Sequence, residues 1–186
     1  MNVAGPGPRE RLLEAAERLT YTAGANVGVG ALLKEANVAR RSLYQHFGGK
    51  DALIAELLRD TARKDLDAYR SAMESAGDDP QARVLAIFDY LDEVVSSPGF
   101  RGCRYLGTDL ALAGPDHPAH RVTRDYRRGL HDLVQHEMQR LAHPDPADAA
   151  EQILLLIEGT LATGATRPTA RPAQTARRIT NTLLDK

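Results

Sequence analysis

The chain has 186 residues, 42% of them hydrophobic and 26% charged, with a formal net charge of −1. That length suits one compact domain or a small head on a larger body, and no apolar run is long enough for a membrane-spanning helix. Cys103 is the single cysteine, which excludes an internal disulfide framework and a zinc site built from several cysteines, and fits an intracellular protein.

The charge is unevenly spread. Residues 1–50 carry seven basic side chains (Arg9, Arg11, Arg18, Lys34, Arg40, Arg41 and Lys50) and four acidic ones (Glu10, Glu14, Glu17 and Glu35), a balance of +3, which leaves −4 for the rest. A basic head on an acidic body is the pattern of a phosphate-binding module with a separate regulatory body. The start, Met1-Asn2-Val3-Ala4-Gly5-Pro6-Gly7-Pro8, has neither a basic cluster nor an apolar stretch. It reads as a short disordered arm rather than a secretory signal.

The fold class is all-α, with about nine helices, because no stretch alternates apolar and polar residues between hairpin turns. The first helix is expected over Pro8 to Ala23, with Leu12, Ala16 and Leu19 on one face and Gly24 as its stop. A short helix follows from Gly28 to Ala36, with Leu32 and Leu33 inward. Asn37-Val38-Ala39 makes a tight turn, since Asn tolerates the left-handed conformation. The next helix, Arg40 to Phe47, is closed by Gly48-Gly49. Two short helices joined by a three-residue turn form a helix-turn-helix. A long helix then runs from Lys50 to Ser75, and Gly77-Asp78-Asp79-Pro80 breaks it.

The fifth helix is expected from Gln81 to Ser97, with Val84, Ile87, Phe88, Leu91 and Val95 inward. A sixth spans Tyr105 to Ala113. The seventh runs from Pro118 to Ala142 on a stripe of Val122, Tyr126, Leu130, Leu133, Val134 and Leu141. The eighth covers Ala147 to Ala165 and is apolar nearly all round at Ile153-Leu154-Leu155-Leu156-Ile157, so burial on more than one side is expected. Arg167 to Pro172 is a loop, and Ala173 to Leu184 the last helix. Residues 1–49 are read as a helix-turn-helix head and 50–186 as a separate helical body.

The third helix carries the most chemistry. Leu43 and Phe47 are four apart and share a face, which should pack on Leu12, Leu32 and Val38. The other face presents Arg40, Arg41, Ser42, Tyr44, Gln45 and His46. Arg suits guanine edges and Gln adenine edges, while Ser and Tyr bond phosphates. No acid lies between Arg40 and Lys50. Lys50 opens the long helix, where its ammonium and the helix amides together suit a phosphate. Arg40, Arg41 and Gln45 are assigned to bases, and Ser42, Tyr44, His46 and Lys50 mainly to phosphates.

The stretch from Arg11-Leu12-Leu13-Glu14-Ala15-Ala16 through Leu43-Tyr44-Gln45-His46-Phe47 to Lys50-Asp51-Ala52-Leu53 resembles the head of the TetR family. That family has paired alanines in the first helix, a Leu-Tyr-x-x-Phe core and Lys-Glu-x-Leu opening the fourth. The likeness covers roughly residues 9–58. From Cys103 to Gly164 a looser likeness runs to a subgroup with a Gly-Cys segment and an Asp-His-Pro segment. Departures are Gly28 where the family has Thr or Ser, Gly30 at a base-reaching position, Asn37 for the turn glycine, Ala39 for the serine opening the third helix, and Thr20 for an aromatic. Base reading is therefore expected to rest on the third helix.

The resemblance implies a cytoplasmic homodimer paired through its last two helices, binding a palindromic double-stranded DNA operator as a repressor. Small residues Ala150, Gly159, Ala162, Thr163 and Gly164 permit close approach of a partner, and Leu156 and Leu161 mark the patch. It also implies a small, largely hydrophobic effector in a pocket of each body. The lining expected is Phe88, Leu91, Val95, Phe100, Cys103, Tyr105, Asp109, Leu110, Tyr126, Leu130, Leu133, Leu156 and Glu158. Tyr105, Tyr126 or Asp109 would hold its polar groups. An effector that moves the fourth helix would change the spacing of the two recognition helices.

Rival readings are few. Gly24, Gly28 and Gly30 have the wrong spacing for a dinucleotide loop and follow no strand. An all-helical enzyme or metal-binding protein would use Cys103, His117 and His120, with Asp109 and Asp116 nearby. Pro118 instead makes His117 a residue at a helix start. His131 and His136, five apart, do not share a helix face. A helical adaptor without DNA binding is the third class. No catalytic set, metal or cofactor is expected.

Overall fold

The computed structural model describes residues 5–112 and 114–185. Residues 1–4 of the expected arm, and Ala113 at the expected end of the sixth helix, lie outside the described residues. The described helices are α1 (Pro8–Ala23), α2 (Val29–Ala36), α3 (Arg40–Phe47), α4 (Lys50–Ser75), α5 (Pro80–Ser96), α6 (Arg104–Ala111), α7 (Pro118–Arg140), α8 (Pro146–Thr166) and α9 (Pro172–Leu184), with a 3-10 turn at Pro168–Ala170. No strand occurs among the described residues. None of these helices is long and apolar enough to cross a membrane.

The boundaries follow local chemistry. α5, α8 and α9 each begin on a proline, one residue earlier than expected. Proline fits the first helical position because the missing N–H would have no partner there. Asp79 and Asp145 precede two of these prolines, and their carboxylates accept the N–H of Ala82 at 3.0 Å and of Asp148 at 3.1 Å. α5 stops at Ser96 because Ser97, before Pro98, is extended at ψ 140°, as a residue before proline prefers. α7 stops at Arg140 rather than Ala142. Ala142 takes a left-handed φ of 52°, and the His143 N–H turns back to the Met138 carbonyl at 3.0 Å, which ends a helix.

The chain forms two compact units, Met1–Ala62 with Arg104–Arg124, and Arg63–Cys103 with Asp125–Lys186. In the first, Leu12, Ala15 and Ala16 of α1 meet Leu32 and Ala36 of α2, Leu43 and Phe47 of α3, and Leu53 and Leu57 of α4 in one buried core. Val38 and Leu33 pack on its edge, half-buried.

Within this unit α6 joins the head helices through polar contacts. Asn26 Nδ2 donates to the Ala111 carbonyl at 2.8 Å. The Arg104 guanidinium lies 5.1 Å over the Tyr21 ring and 4.0 Å from Glu17. His120 Nδ1 and the Thr123 hydroxyl both meet Asp109 Oδ1 at 2.8 Å.

The second unit is built around α5, α8 and α9, which pack on one another. Its core holds Ile87, Phe88 and Leu91 of α5, Leu130, Val134 and Met138 of α7, and Ile153 and Ile157 of α8. Leu133 and Leu141 of the expected α7 stripe are only half-buried. Gly164 of α8 sits against Val95 of α5, where a Cβ would lie 2.8 Å from the Val95 Cβ. Within the chain, the apolar run of α8 is covered only in part, with Ile153 and Ile157 buried. Leu154 is covered, but Leu155 stands 72% exposed, because five consecutive apolar residues span more than one helical turn and α5 and α9 cover only part of that circumference.

Candidate nucleic-acid interface

α3 is set by its two ends. Asn37 closes α2 in the left-handed conformation at φ 49° and ψ 54°. Ala39 precedes α3 with extended backbone and offers no side-chain cap. Gly48, at φ 75°, closes it, a conformation glycine takes without steric cost. Between these ends, Leu43 and Phe47 are buried.

The remaining face points outward. Arg40, Arg41, Gln45 and His46 are exposed, and the Tyr44 ring is 53% exposed. Ser42 is half-buried. Lys50 is half-buried too, and its Nζ donates to the Val27 carbonyl at 3.3 Å. An ammonium has three donors, so this bond leaves two for another acceptor. Gly28 and Gly30 are exposed and present no side chain.

Three further arginines of the head are engaged internally, while Lys34 is exposed. Arg9 pairs with Glu56 and lies 5.6 Å over the Phe47 ring. Arg18 pairs with Glu35 at 3.0 Å. Arg11 Nη1 donates to the Asn37 carbonyl at 3.1 Å. Charge counting treats these three arginines like Arg40 and Arg41. Only the packing separates them, and no sequence signal marks the difference.

The expected effector lining is divided. Phe88, Leu91, Tyr126 and Leu130 are buried in the second unit, with Val95, Phe100, Cys103, Leu133, Leu156 and Glu158 half-buried there. Tyr105, Asp109 and Leu110 belong to the first unit. Leu110 of α6 stands 78% exposed rather than covered. Asp109 already accepts from Thr123 and meets His120. Glu158 pairs with Arg127 at 2.8 Å on the rim of a cleft of about 260 Å³ between α7 and α8.

Tyr69 was not among the expected residues. It is buried, hydrogen-bonded to Tyr126, and edge-on to Tyr90 at 5.4 Å. Burial raises its phenol above the ordinary tyrosine value, against the lowering effect of the Tyr126 bond. The histidines do not converge on a metal site. His117 Nδ1 accepts the Ala119 N–H at 3.1 Å at the start of α7. Among the described residues no group of three or more His, Cys, Asp or Glu is placed to hold an ion.

Residues 12–57 match the bacterial regulatory proteins of the tetR family. A solved structure from Streptomyces avermitilis, assigned to the TetR transcriptional regulators, is 32% identical. It covers 95% of this chain and 99% of its own, with a TM-score of 0.79. A TetR-family transcriptional regulator from Streptomyces coelicolor is 29% identical with a TM-score of 0.84, covering 96% of this chain and 94% of its own. The HTH-type transcriptional regulator YjdC of Escherichia coli is 24% identical over 178 residues, which is 95% of this chain and 93% of that protein. With a head built on these residues and this likeness running along nearly the whole chain, the protein belongs to the TetR family of DNA-binding transcriptional regulators.

Proposed function

We propose that the protein is a cytoplasmic, dimeric repressor that binds a palindromic operator through α3 and is released by a small, largely hydrophobic effector. It performs no catalysis in this reading. Residues 1–49 form the DNA-binding domain, with Lys50 at the start of α4 adding a phosphate contact, and residues 50–186 otherwise bind the effector and pair the subunits.

The observation that carries this is the two-faced α3. Leu43 and Phe47 anchor it in the head core, while Arg40, Arg41, Tyr44, Gln45 and His46 face outward. Arg40 and Arg41 have no ion-pair or hydrogen-bond partner among the described residues. Unpaired guanidiniums and a carboxamide on one helix face are the groups that read base edges in the major groove. Lys50 and the first amides of α4 suit a phosphate.

For the effector, the second unit offers the buried aromatics Phe88 and Tyr126 with Leu91 and Leu130. The Tyr69–Tyr126 pair supplies the polar contact in that apolar surrounding. An effector can release DNA only by binding the DNA-incompetent state more tightly, so DNA must weaken effector binding equally.

The test is selection of bound duplexes from a random pool, followed by binding with variants. Gln45→Ala and Arg40→Ala should each relax preference at one base pair, by roughly 1–3 kcal/mol. Lys50→Met should weaken all duplexes alike and lower the salt slope by about one. A Gln45→Ala variant that keeps the full base preference would overturn the assignment of α3. For the effector, a compound found by thermal shift should lower operator affinity at saturation. Unchanged affinity excludes that compound as the effector.

A further inference from the structure

We infer that Arg11 is a positioning residue for DNA recognition, which fixes the turn leading into α3 without itself touching DNA. This rests on the reading that α3 enters the major groove.

Arg11 lies on α1, half-buried beside the head core. Its Nη1 donates to the Asn37 carbonyl at 3.1 Å. Asn37 is the left-handed residue that ends α2, and Ala39, two positions on, is the residue that immediately precedes α3. An Asn, Ser, Thr or Asp before a helix fixes its entry by accepting a backbone N–H. Ala39 has no such group, and α3 carries no side-chain cap. The Arg11 guanidinium, reaching across from α1, instead holds the turn two residues earlier, at the Asn37 carbonyl.

A second observation separates this role from plain stability. Arg11 Nε is buried with no hydrogen-bond partner. A cation held partly out of water with one N–H unpaired is unfavourable beside an apolar side chain of similar length. Methionine would fill the same space without that penalty. What methionine cannot do is bond the Asn37 carbonyl. At the other end of α3, the Arg9 guanidinium lies over the Phe47 ring. α1 therefore holds both ends of the helix that reads DNA.

The experiment uses the full-length protein and one duplex selected by it from a random pool. Arg11→Met should unfold at the wild-type temperature or higher, yet bind the duplex about tenfold more weakly, the loss expected for one hydrogen bond from a charged donor. The slope of log affinity against log salt should not change, since no phosphate contact is lost. Arg11→Lys, which keeps a donor, should recover part of the affinity.

Wild-type affinity in Arg11→Met overturns the inference. So does a loss accompanied by a salt slope lower by about one, which would make Arg11 a phosphate ligand. A loss that parallels unfolding of the variant also overturns it, since the residue would then be structural only. Gln45→Ala on the same duplex tells the two readings apart. Retained base preference there removes α3 as the reader, whereas relaxed preference with an unaffected Arg11→Met removes only the positioning role.

Discussion

Glu137 on α7, 1% exposed, accepts the Nε–H of Arg83 on α5 at 2.8 Å, and its second oxygen accepts from Arg140 Nη1 at 2.6 Å. The two arginines also donate to the carbonyls of Gly77 and Asp78, so one buried carboxylate ties α7 to α5 and to the turn before it. Replacing Glu137 by alanine leaves Arg83, itself largely buried, without its counter-charge. The expected loss is about 3–5 kcal/mol, as for breaking a buried pair from one side. Denaturant unfolding measures it, and a loss under about 1 kcal/mol would show that the carboxylate adds little.

Two glycines in the second unit should respond in opposite ways. A Cβ on Gly164 would lie 2.8 Å from the Val95 Cβ and 2.9 Å from its Cγ1. A branched stem on a helix cannot turn away, so Gly164→Ala should cost about 1–3 kcal/mol. Val95→Ala in the same chain should return part of that. A Cβ on Gly129 would meet only the tip of Leu66, at 2.9 Å. That tip can change rotamer, and alanine gains about 1 kcal/mol over glycine inside a helix. Thermal unfolding of Gly129→Ala should therefore be close to wild type, and a large drop would mean that α4 and α7 have no slack there.

The exposed Leu155 changes which substitution probes subunit pairing. Leu155, Gly159 and Ala162 lie on one face of α8, all exposed, and Ile179 on α9 is 46% exposed. Leu155→Glu should yield a monomer in sedimentation at concentrations where the wild type is dimeric. Leu161, buried within the chain, should instead unfold when changed to glutamate. A dimeric Leu155→Glu protein would place the pairing surface on other helices.

Tyr69 should make the protein sensitive to alkali. Burial raises its phenol, so the folded state holds the proton more tightly than the unfolded one. Its contribution is present below the free tyrosine value of about 10 and is lost as pH climbs toward the raised folded value. Stability should fall with rising pH above that point, and Tyr69→Phe should flatten the fall. An equally steep loss in the phenylalanine variant would assign the effect to another group.

Much of this fold was legible because the chain is punctuated. Pro8 and Gly24 bracket α1, Asn37 and Gly48 bracket α3, and α4 runs without a proline to the Gly77–Pro80 break. The outward face of α3 followed from the spacing of Leu43 and Phe47. Exposure within α8 did not, since five apolar residues in a row carry no period to say which one is left out. Asn26 and Ala111 meet across 85 positions, and nothing local to either hints at it. Glu137 is an acid beside Met138 on a helical stripe, and only the presence of Arg83 and Arg140 makes its burial tolerable. Arg9 and Arg11 were equally opaque. A guanidinium reads the same in sequence whether it faces water, a ring or a carbonyl.

The internal ties of Arg9, Arg11 and Arg18 also bear on how the protein shares its time between its operator and the rest of a genome. Indiscriminate attraction to a duplex comes from cations that displace counterions, and it carries no sequence information. Two of those guanidiniums already face carboxylates and the third a carbonyl, which leaves Lys34, Arg40, Arg41 and Lys50 as the cations of the head most free to displace counterions. Such a head should hold bulk DNA less tightly than one with all seven of its cations free. Fewer copies would then be sequestered on the vast excess of competing sites, and a smaller cellular stock of the protein would suffice to keep one specific site filled.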